Sequence, residues 1–69
     1  MKFSKAKMIE RLTNEGRASQ IDTEVMHIMD KLDGKEAEKN HYKALIHDEE
    51  EYFVRVDGVS YPVNKLDCE

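Results

Sequence analysis

Tyr52-Phe53-Val54-Arg55-Val56-Asp57-Gly58-Val59-Ser60-Tyr61-Pro62-Val63 is the stretch that decides the fold. Two runs of β-branched and aromatic residues flank Asp57-Gly58, a pair suited to the two positive φ angles of a type I′ turn. A two-residue turn fixes the register. Val56 faces Val59, Val54 faces Tyr61 and Tyr52 faces Val63, so all six share one face, the one expected to be buried. The opposite face carries Arg55 against Ser60 and Phe53 against Pro62. Proline has no N–H to give a ladder, which predicts that the last strand is an edge.

Upstream, His41 to His47 reads in two ways. As a strand, with Asp48-Glu49-Glu50 as a three-residue loop, it sets Ile46 against Tyr52, Ala44 against Val54 and Tyr42 against Val56. Every inner position is then apolar, and this is the favoured assignment. Lys35 to Asn40 becomes a polar connection, with room for one helical turn. As a helix, Lys35 to Glu51 would put acids at its C-terminal end, against the helix dipole, with a thin apolar set. That alternative makes three helices and a wing, a winged-helix arrangement.

The first half has helical periodicity. Ser4 is an N-cap, with Phe3 and Met8 at staple spacing, and Gly16 supplies a stop. In the second helix Ile21, Val25, Ile28, Met29 and Leu32 form one stripe. Ser19 or Asp22 caps its start and Gly34 ends it. The link between the helices reads as about five residues, which suits an antiparallel hairpin. The expected fold is therefore α+β, α-α-β-β-β: a two-helix hairpin on a three-stranded antiparallel meander, as a single domain over 1–69.

The chain has 69 residues, 15 acids, 11 bases, a net charge of −4 and one cysteine. No apolar run approaches the roughly 18 residues of a membrane span, and no apolar stretch follows the basic N-terminus as in a secretory signal. A lone cysteine fits a reducing, cytoplasmic setting. So short a chain buries only about 60% of its unfolded surface, which favours support from a second copy.

Charge is unevenly placed. Lys5, Lys7 and Arg11, with Lys2 and Arg17 flanking, make the first helix basic, without interleaved aromatics for base stacking. Asp22, Glu24, Asp30 and Asp33 make the second acidic, so a helix-turn-helix over residues 5–33 would offer phosphates a repelling recognition helix. Asp48, Glu49, Glu50 and Glu51, with Asp57, Asp30 and Asp33, form the main electrostatic feature. Alternate strand residues lie about 6.6 Å apart. Such carboxylates could occupy lysine and arginine sites meant for DNA, and a solvated turn that discourages aggregation is the plainer account. On the outer sheet face Leu45, Phe53 and Pro62 fall side by side, ringed by Lys43, His47, Glu51, Arg55, Ser60 and Asn64, a candidate contact between copies.

Catalysis finds little support. His41 and His47 would lie about 20 Å apart on a strand and share no metal. His27 sits beside the stripe of the second helix, and Cys68 reads as a frayed, inert thiol. Neither a phosphate loop nor a nucleophile elbow is present. No enzyme activity, cofactor or metal is expected.

Ile28-Met29-Asp30-Lys31-Leu32-Asp33-Gly34 and Tyr61-Pro62-Val63-Asn64-Lys65-Leu66-Asp67-Cys68-Glu69, about a quarter of the chain, resemble small orphan proteins of phages that infect Gram-positive bacteria. That resemblance implies a host-takeover product acting in the host cytoplasm, several of which block replication, transcription or nucleoid proteins. It assigns no site residue. The expected function is a non-enzymatic acidic inhibitor, dimeric, that occupies the basic site of a host DNA-binding protein as a DNA mimic. The alternatives are a winged-helix DNA-binding regulator using Lys35, Lys39 and Lys43, and a structural or assembly subunit.

Overall fold

The computed structural model describes residues 1–39 and 51–69. In chain order these form helix α1 (Lys5–Asn14), a 3-10 turn (Ala18–Gln20), helix α2 (Thr23–Leu32), and strands β1 (Glu38–Lys39), β2 (Tyr52–Val56) and β3 (Val59–Val63). A second 3-10 turn, Lys65–Asp67, follows. The layout is α+β, with the helices packed on an antiparallel sheet of order β1-β2-β3.

Both helices begin and end where short-range chemistry dictates. Ser4 adopts an extended backbone, and its Oγ accepts the Lys7 N–H at 3.2 Å. At the other end of α1 the Arg17 N–H donates to the Leu12 carbonyl at 2.7 Å, and the Gly16 N–H to Thr13 at 3.1 Å. This is a Schellman closure around Gly16, whose φ of +72° a side chain would strain. Of the two candidate caps for α2, Asp22 serves: its Oδ1 accepts the Val25 N–H at 2.9 Å. Ser19 lies in the 3-10 turn, and the link runs over eight residues rather than five. The longer link arises because Arg17–Gln20 closes on itself through the Gln20 N–H to the Arg17 carbonyl at 3.0 Å.

The hairpin keeps its expected register across all five pairs, from Tyr52–Val63 to Val56–Val59. Asp57 (φ +52°) and Gly58 (φ +78°) supply the two left-handed residues of the turn. A two-residue turn makes Val56–Val59 a hydrogen-bonded pair, so Phe53–Pro62, three steps on, is a non-bonded one. The Pro62 nitrogen thus lies on the outer side of β3 and breaks no ladder bond, as befits an edge strand. Val54 is fully buried, and Tyr52, Val56, Tyr61 and Val63 are half-buried. Val59 departs from the expected burial at 50% exposed, because it sits at the turn, beyond the helical cover.

The first strand is where the structure corrects the sequence expectation. Lys39 pairs with Tyr52 and Glu38 with Phe53. The favoured strand, His41 to His47, lies outside the described residues, and the place opposite Tyr52 that the sequence reading gave to Ile46 is held by Lys39. Lys35 to Lys39 is neither a polar connection nor the start of a third helix, so the winged-helix alternative fails over these residues. The physical reason is Ala37. It is buried in the core, and its N–H donates to the Met1 carbonyl at 2.8 Å.

The N-terminal segment supplies the other half of that anchor. Lys2 pairs with Glu36, and Phe3 with Cys68. The Phe3 N–H donates to Lys35 at 2.9 Å, while Lys2 and Glu69 exchange two backbone hydrogen bonds at 2.7–2.8 Å. Gly34, at the end of α2, donates to the Phe3 carbonyl at 2.9 Å. Residues 1–4 therefore run between residues 34–37 and 67–69. Phe3 is carried into the core beside Met29, Leu32 and Val54, where burying its ring stabilises the fold by about 2–3 kcal/mol.

Candidate functional site

The cations of α1 find partners within the chain itself, two of them acids and one a backbone carbonyl. Lys7 and Arg11 lie one turn apart, on the face that meets the C-terminal 3-10 turn. The Lys7 ammonium donates to the Cys68 carbonyl at 3.0 Å. Arg11 grips Asp67 from two sides, Nε to Oδ1 at 2.7 Å and Nη2 to Oδ2 at 3.0 Å, and its Nη1 reaches Glu15 at 3.2 Å. Asp67 is 1% exposed. The hydrogen bond to Asp67 raises the Arg11 guanidinium above its ordinary range, against the opposing effect of burial. Glu15 is held below the usual carboxylate range by Arg11 and then Arg17. On the other side of α1, Lys5 pairs with Asp30, and its backbone N–H donates to Asp33 Oδ1 at 3.0 Å. The α-amine of Met1 bonds Glu36 at 2.8 Å and lowers that carboxyl as well.

The expected acidic surface divides. Asp30 and Asp33 are exposed at the end of α2 and engaged by Lys5. Asp57 is exposed in the β2–β3 turn, and Glu51, half-buried, precedes β2. Six extended residues at about 3.3 Å each put Glu51 and Asp57 roughly 20 Å apart, at opposite ends of the hairpin. Asp48, Glu49 and Glu50 lie outside the described residues, as do His41 and His47. The hairpin therefore keeps Glu51 and Asp57 apart, and Asp57 forms a separate anionic point.

The apolar contact row is also altered. Phe53 and Pro62 stand side by side, half-buried and exposed respectively. Glu38 flanks Phe53 on its other side, and Leu45 is outside the described residues. The Arg55 guanidinium sits 5.9 Å from the Phe53 ring centre, a cation–π distance. This face is thus a short apolar pair hemmed in by charge. Asn64, expected in the polar rim, instead caps the last 3-10 turn by accepting the Leu66 N–H at 2.8 Å.

Two features escaped the sequence. Cys68 is 5% exposed and not frayed: its backbone pairs beside Phe3, and its thiol approaches the Asn64 carbonyl at 3.6 Å. Burial raises the Cys68 pKa. Asn64 as a cap ahead of Lys65-Leu66-Asp67 was the one local signal that this end is structured. The second is a cleft of about 390 Å³ between α1, α2 and β3, walled by Phe3, Met8, Val25, Ile28, Tyr61 and Val63, with Arg11, Asp67 and Asn64 also on its lining.

Among the described residues no group of three or more His, Cys, Asp or Glu side chains is placed to hold a metal ion, and His27 is exposed on α2. No helix among them is long and apolar enough to cross a membrane. Comparison with protein-family models, with curated proteins and with solved structures returns no match.

Proposed function

We propose that the protein is a non-enzymatic binding protein that presents an acidic exterior to a basic partner. The observation that supports this is the internal engagement of α1. Lys5, Lys7 and Arg11 are each bonded to Asp30, the Cys68 carbonyl or Asp67, so the most basic part of the sequence offers nucleic acid no free cationic stripe. Phosphate contacts supply most of the affinity of nucleic-acid binders, and a chain of net charge −4 with its basic helix so occupied lacks that term. Glu10, Glu24, Glu38 and Asp57 are exposed and carry the excess outward.

A DNA-binding protein is the partner class that suits such a surface, since its basic site already accepts spaced anions on a rigid frame. The likeness of residues 28–34 and 61–69 to small phage proteins agrees with a bacterial host protein in that role. Capture of partners from a bacterial lysate at low and high salt, followed by elution with duplex DNA, tests this. The expected catch is a DNA-binding protein released by both salt and DNA. A catch indifferent to both, or retardation of DNA in a gel by this protein alone, would overturn the proposal.

A further inference from the structure

We draw no further inference here: the strongest candidate, the apolar cleft of about 390 Å³ between α1, α2 and β3, is an unpartnered face, and nothing in the structure shows what covers it.

Discussion

Arg11 and Asp67, 56 residues apart in the chain, meet through two parallel hydrogen bonds and lock α1 to the C-terminal turn. The carboxylate is almost wholly enclosed, while the guanidinium side chain keeps 18% of its surface. Removing one partner strands the other in a poor environment, which costs about 3–5 kcal/mol for fully buried pairs. With Arg11 partly hydrated, Asp67→Asn is expected to cost roughly 2 kcal/mol. At about 4–8 °C per kcal/mol in a domain this size, thermal melting followed by circular dichroism should fall by roughly 10 °C. The double variant Arg11→Met with Asp67→Leu leaves no stranded charge and should recover most of that loss. A melting temperature unmoved by Asp67→Asn would show that the pair does not hold the two ends together.

Cys68 should behave as a buried thiol. Its backbone is paired with Phe3, and burial raises its pKa, so both access and thiolate fraction are low. Reaction with a chromogenic disulfide reagent at mildly alkaline pH should be slow in the native protein. It should become fast once urea opens the fold. Full reaction on mixing, with no denaturant, would return Cys68 to the frayed end that its place in the sequence suggested.

The parts of this fold that are legible in the sequence are those set by neighbouring residues. Asp57-Gly58 dictates the turn, and the turn dictates all five pairs of β2 with β3. Ser4, Gly16, Asp22 and Gly34 bound the helices through contacts within a few residues, or at a single glycine φ. What pairs with Tyr52 on its first-strand side is not legible, because it depends on distant chain. Only Ala37 among Lys35 to Lys39 is apolar, and it is held by Met1 and the core, not by its neighbours. A run with one apolar residue gives no period to read. The Arg11–Asp67 pair was invisible for the same reason, since a charge in a helix and another near a terminus look solvated until the ends are brought together. The candidate site was legible only as a charge balance.

Acid should weaken the fold through Glu15 and Glu36. Both carboxyls titrate below their ordinary range in the folded protein, Glu15 chiefly through Arg11 and Glu36 chiefly through the Met1 amine. A depressed folded pKa contributes stability above the unfolded pKa, and the contribution is lost as pH falls through the folded value. Urea denaturation should therefore show a level midpoint near neutrality and a decline below the ordinary glutamate range. Glu36→Gln should flatten part of that decline and lower neutral stability by the same amount, a small one because the pair is exposed. An acid limb identical in the variant would mean that the Met1–Glu36 pair contributes nothing in solution.

The β2–β3 turn allows charge to be separated from structure. Asp57 and Gly58 both hold positive φ, and Asn-Gly suits a type I′ turn at least as well as Asp-Gly. Asp57→Asn should leave the stability within about 0.5 kcal/mol of the parent, the usual range for surface changes. If the acidic exterior makes the proposed contact, the same change should weaken partner capture and reduce its salt dependence. Gly58→Ala does the reverse. A methyl group forced to φ +78° meets no neighbouring atom but strains the backbone, at a cost of about 1–2 kcal/mol. Its charge is unchanged, so the folded fraction should bind as the parent does. Loss of binding in Gly58→Ala alone would tie capture to the shape of the turn, whereas loss in Asp57→Asn alone would tie it to the carboxylate.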